Sequence, residues 1–105
     1  MLEHKQIYDL LKTLNIPVAY DHFDNNKTLK PPFVVYRETP ADLFNADDIV
    51  YFRQYTFEIE LITEIKDVAL QKRIEGLLTT NNIPYKLNDE VWDEDEKIYH
   101  NFYEI

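Results

Sequence analysis

Glu58 and Glu60 stand two residues apart in Tyr55-Thr56-Phe57-Glu58-Ile59-Glu60-Leu61. A strand would carry both carboxylates on one face, because successive side chains alternate. Asp47 and Asp48 lie a little upstream. Carboxylates so placed could hold Mg²⁺ for phosphoryl chemistry, since Mg²⁺ takes hard oxygen ligands. The nuclease strands that use this arrangement also need a lysine close by, and here the neighbours are Ile59 and Leu61. Glu58 and Glu60 are therefore expected on a solvated strand face or in a subunit contact, with neither metal nor cofactor.

The other reactive residues are scattered. His4, His22 and His100 are far apart in sequence. Asp21-His22-Phe23-Asp24 offers three ligand types in four residues, but structural zinc needs four ligands firmly held. Surface histidines are the expectation. Arg53, on the apolar side of an alternating stretch, either reaches solvent or pairs with a carboxylate in the sheet or across an interface. Six acids and no base lie between Asp89 and Glu96. Such a run forms a solvated hairpin tip or meets a basic partner. Beside it Trp92 covers its own core edge or serves as a binding anchor. Leu43 and Phe44 sit in an acidic loop, where they either fold back on the core or dock into a neighbour.

Composition removes most alternatives. The chain has 105 residues, enough for one domain spanning 1–105, with 45% hydrophobic and 30% charged residues. It contains no Cys and no Ser, so it has no disulfide frame and no thiol or serine nucleophile. Its one glycine, Gly76, excludes the P-loop and the dinucleotide-binding loop. Acids outnumber bases 20 to 11, for a net charge of −9. No basic stripe offsets that charge, so direct nucleic-acid binding is not expected. The N-terminus lacks an apolar run, and no stretch reaches the roughly 20 residues that cross a bilayer. A cytosolic protein, or one assembled in a cytosol, is expected.

The elements that must position these residues follow from periodicity. Ile7, Leu10, Leu11 and Leu14 fall on one helical stripe, which Asn15 and Pro17 end. Ile16 to Tyr20 reads as a short strand, Asp21 to Pro32 as a polar loop, and Phe33 to Glu38 as a strand. Thr39 to Asp48, with Pro40 and Asn45, reads as a second loop. Ile49 to Thr63 alternates throughout and predicts one long strand, buried on one face. Asp67 can cap a second helix carrying Leu70, Ile74, Leu77 and Leu78. Gly76 within it costs about 1 kcal/mol relative to Ala and is expected where helix and sheet pack closely. A hairpin closes the chain, Tyr85 to Trp92 and Lys97 to Ile105, across the turn Asp93-Glu94-Asp95-Glu96.

A shift of 67 residues, which carries Ile7 onto Ile74, also carries Leu10 onto Leu77 and Leu11 onto Leu78. The same shift superposes Asn15-Ile16-Pro17 on Asn82-Ile83-Pro84 and Tyr36 on Tyr103. Two helix–strand–strand units flanking the central strand would produce this. The expected fold class is α+β, with elements in the order α-β-β-β-α-β-β.

That order, together with Pro32-Phe33-Val34-Val35-Tyr36, Tyr55-Thr56-Phe57-Glu58-Ile59-Glu60-Leu61 and Lys66-Asp67 leading to Ile74-Glu75 and Leu77-Leu78, resembles the small tail-terminator and tail-completion proteins of long-tailed bacteriophages and their prophages. The resemblance implies a single mixed or antiparallel β-sheet with the two helices packed on one face, and a non-enzymatic structural subunit of a ring, often hexameric, at the head-proximal end of the tail. It implies a place in the virion after assembly in a bacterial cytoplasm, and contacts with tail-tube and head-completion proteins. It carries no catalytic residues. Leu43, Phe44, Arg53, Glu58, Glu60 and Trp92 are the candidate subunit or partner contacts. The residues themselves also admit an acidic monomeric inhibitor that mimics nucleic acid or blocks a basic protein, and a small Mg²⁺ enzyme using Glu58 and Glu60.

Overall fold

A computed structural model describes residues 3–22, 30–39, 44–46, 49–51 and 57–105, with backbone alone at 44–46 and 49–51. The elements are α1 (His4–Lys12), β1 (Val18–Tyr20), β2 (Phe33–Glu38), β3 (Phe44–Ala46), β4 (Ile49–Tyr51), β5 (Phe57–Thr63), α2 (Val68–Thr80), β6 (Lys86–Asp93) and β7 (Ile98–Glu104). Among the described residues, five strands form one mixed sheet in the order β1-β2-β5-β7-β6. Only β1 and β2 run parallel; the other neighbours are antiparallel. The fold is α+β, and its helices and main-sheet strands follow the expected order.

Both helices back one face of that sheet. Ile7, Leu11 and Leu14 from the first helical segment and Leu70, Ile74 and Leu78 from α2 meet Val34, Tyr36, Phe57, Ile59, Leu61 and Tyr103 in one core. Leu10 and Leu77, expected inside, are only partly buried against it. The Asp67 carboxylate accepts the Leu70 amide at 3.0 Å, which caps α2 as expected. A Cβ built on Gly76 would meet nothing within 4 Å. The close helix–sheet approach expected there is absent, and the glycine only weakens the helix.

The 67-residue shift has a geometric counterpart. Ile59 is the register partner of both Tyr36 and Tyr103, and Leu61 of both Val34 and Asn101. Asn15 and Asn82, each just past a helix, share left-handed φ values of 60° and 59°. The units differ at their outer strands: β1 is parallel to β2, whereas β6 is antiparallel to β7.

Two expectations about the middle of the chain need correction. The expected loop from Thr39 to Asp48 contains a strand, β3, which pairs antiparallel with β4 in a separate two-stranded sheet. Backbone pairing to Ile49–Tyr51 overrides the local turn signal of Asn45. The expected strand from Ile49 to Thr63 is found as two described pieces in different sheets, β4 and β5; residues 52–56 lie outside the described residues. No helix among the described residues is long and apolar enough to cross a membrane, which leaves β-barrels unaddressed.

Candidate functional site

Strand alternation assigns Glu58, Glu60 and Ile62 of β5 to the face away from the helices. Register then sets three rows across that face: Phe33, Ile62 and His100; Val35, Glu60 and Phe102; Arg37, Glu58 and Glu104. The expectation of a solvated strand face does not hold here. The side chains of Glu58 and Glu60 are only 23% and 13% exposed, because each is covered by a partner from a neighbouring strand.

That partner on β2 is Arg37. Its Nη1 donates to Glu58 Oε1 at 2.5 Å and its Nη2 to Glu60 Oε1 at 3.0 Å. Nη2 also reaches the Asp21 carbonyl at 3.3 Å. On the other side, His100 Nδ1 lies 2.5 Å from Glu60 Oε2. Asp21 continues the chain to His22, whose Nδ1 is 2.8 Å from its carboxylate. A chain of charge thus crosses β2, β5 and β7. Burial alone would lower the Arg37 pKa, but hydrogen bonds and charge from Glu60 and Glu58 outweigh it and raise it, so the guanidinium holds its charge.

This network answers the question posed by the paired carboxylates. A lysine near Glu58 and Glu60 in sequence was the missing piece; the cation comes instead from Arg37, 21 residues away and opposite in register. Sequence reasoning missed Arg37 and left His100 as a surface residue. A signal existed: Arg37 shares its strand parity with Phe33 and Val35, and two half-buried acids need a counter-charge. Among the described residues, no three His, Asp or Glu side chains are grouped so as to hold a metal ion.

The remaining candidates are dispersed. Trp92 is 43% exposed; its Nε1 donates to Glu94 at 2.6 Å and its ring lies 6.1 Å from Tyr99. Lys97 also pairs with Glu94. These bonds, Trp92 Nε1 less than Lys97, hold the Glu94 carboxyl below the usual range. The turn is thus partly self-compensated. Leu43 and Arg53 lie outside the described residues, and Phe44 is described only as backbone in β3. The structure therefore brings Glu58 and Glu60 together and leaves Trp92 at the sheet's outer strand.

His4 was also underestimated. Its ring sits 4.5 Å from Tyr20 and 5.3 Å from Phe57, and its Nε2 lies 3.2 Å from Glu38. It ties the start of α1 to the sheet.

The helix-free face carries two cavities, of about 430 and 340 Å³, which share Glu60 and His100. Among the described residues that line them there is no hydroxyl, thiol or amine side chain. Compared with protein-family models and with curated proteins, the chain finds no match in either.

Proposed function

We propose that the chain is a non-enzymatic tail-terminator or tail-completion subunit of a long-tailed phage or prophage. It forms a homo-oligomeric ring at the head-proximal end of the tail, in contact with tail-tube and head-completion proteins. The observation that carries the reading is the β3–β4 ribbon, which pairs apart from the five-stranded sheet. An isolated two-stranded hairpin is marginal in water, so such a ribbon suits a role in which another surface completes it. Its sequence, Leu43-Phe44-Asn45-Ala46-Asp47-Asp48-Ile49-Val50-Tyr51, is apolar with an acidic centre. A ring needs a heterologous contact, in which one patch meets a different patch on the next subunit. A ribbon outside the main sheet supplies one half of it.

The test is Leu43→Asp with Phe44→Asp, followed by light scattering at high concentration and by tail assembly in lysates. The expected result is a folded protein that no longer associates and does not join heads to tails. Normal association and normal joined virions would remove the ribbon from assembly. A second reading, an acidic monomeric module that blocks a basic partner, draws on the turn Asp93-Glu94-Asp95-Glu96. A monomer at every concentration, on and off tail tubes, would favour it.

A further inference from the structure

We propose that two copies of the chain pair antiparallel through β6, joining their sheets across a two-fold axis at Glu90. The pairing uses a different surface from the β3–β4 ribbon, so it stands or falls apart from the ring. β6 is an outer strand, and among the described residues only β7 pairs with it. Three of the seven large apolar side chains exposed among the described residues lie on it: Leu87, Val91 and Trp92, at 39%, 41% and 43%. An open edge of eight residues is a template for another strand. It has no proline, and its one lysine stands at its start.

The second copy is singled out by register. Ile105 exchanges both backbone hydrogen bonds with Phe57, so odd-numbered residues of β7 turn their backbone polar groups to β5 and even-numbered ones to β6. Opposite those even residues stand Lys86, Asp89, Val91 and Asp93. Leu87, Glu90 and Trp92 therefore turn N–H and C=O outward, with a bulge at Asn88 taking up the extra residue. Place Glu90 opposite its own copy. The bulge then sets Leu87 opposite the second copy's Trp92, and Trp92 opposite its Leu87. All three outward-facing residues meet outward-facing residues, and every side chain keeps its face of the sheet. Without the bulge Leu87 would meet Asp93, on the wrong face.

Charge and space agree with that register. Exposed Lys86 meets the second copy's Asp93, which spends only Oδ1 on the Asp95 and Glu96 amides of its turn. The two Glu90 carboxylates at the axis each bring a cation, Lys66 Nζ at 3.1 Å. Gln71 bonds Asn101 and Glu75 accepts from Tyr103, so α2 lies over β7. The two β7 strands would stand three strand spacings apart, roughly 14 Å, which admits two helices about 10 Å wide. In the single chain the Asp89 carboxylate accepts the outward Glu90 amide at 2.9 Å. Pairing displaces that cap, so the association is weak and reversible.

The experiment is sedimentation equilibrium of the full chain up to about 0.5 mM, with a cross-linking readout of register. The expected result is a monomer–dimer equilibrium that Leu87→Lys weakens about tenfold or more at an unchanged melting temperature. Asp89→Ala, which removes the competing cap, should tighten it several-fold. The chain has no Cys, so a single Glu90→Cys reports the axis: its two copies would lie about 5.5 Å apart at Cα, within disulfide reach. It should cross-link about tenfold faster than Glu96→Cys in the turn, a comparison that does not depend on Leu87. A monomer at every concentration would overturn the proposal. So would a dimer indifferent to Leu87→Lys, or equal cross-linking at the two positions. An assembly abolished by Leu43→Asp with Phe44→Asp but not by Leu87→Lys would overturn this pairing and leave the ring standing.

Discussion

Arg37→Met isolates the energetics of the charge network. Methionine keeps the apolar stem of the arginine but takes the guanidinium away from Glu58 and Glu60, leaving Glu60 its contact with His100. Removing one partner of a fully buried ion pair costs about 3–5 kcal/mol, whereas exposed pairs contribute about 0–1 kcal/mol. Arg37, Glu58 and Glu60 are 27%, 23% and 13% exposed, so they lie between these limits and nearer the buried one. A loss of about 2–3 kcal/mol follows. In a domain of this size each kcal/mol moves the melting temperature by about 4–8 °C, so a fall of about 8–24 °C is expected. The assay is thermal unfolding by circular dichroism at pH 7. It compares wild type, Arg37→Met, Glu58→Gln with Glu60→Gln, and the triple variant. The amides remove the stranded charges, so in the methionine background they should recover much of the loss. A melting point for Arg37→Met within about 2 °C of wild type would refute the reasoning. So would amide substitutions that cost the same in both backgrounds, since that means no coupling.

Leu78 is fully buried and Leu77 only partly, so Leu78→Ala should cost about 2–5 kcal/mol and Leu77→Ala distinctly less; denaturant titration ranks them. Gly76→Ala should raise stability by about 0.5–1 kcal/mol, because the added methyl meets open space; a loss would mean the helix is placed wrongly. Tyr103 keeps its proton above the ordinary value of 10.0, first because it is buried and then because its hydroxyl donates to Glu75 at 2.8 Å. The unfolded chain loses that proton first, so stability should fall as pH rises beyond about 10, and Tyr103→Phe should flatten that limb.

The parts of the fold that were legible in the sequence are those fixed by local pattern. The stripe of α1, the cap and stripe of α2, the apolar run of β2 and the closing hairpin each depend on spacing within about a dozen residues. The strand Phe44–Ala46 was not legible, because Asn45 and the flanking acids speak for a turn while the partner strand decides otherwise. The role of Gln71 was hidden for the same reason. It lies on the apolar side of α2, where its amide donates to Asn101 at 2.9 Å and to Glu90 at 2.8 Å, residues that only the hairpin register brings there. The candidate site was half legible. Glu58 and Glu60 stood out by parity, but Arg37 and His100 join them only through strand pairing across 21 and 40 residues.

The measurement that most directly tests the central claim is electron microscopy of particles from the genome that carries this chain, with its coding sequence deleted. A subunit that caps the tail and joins it to the capsid predicts tails of uncontrolled length and capsids without tails, restored by supplying the wild-type chain. Joined virions of normal tail length and yield in the deletion would contradict the account.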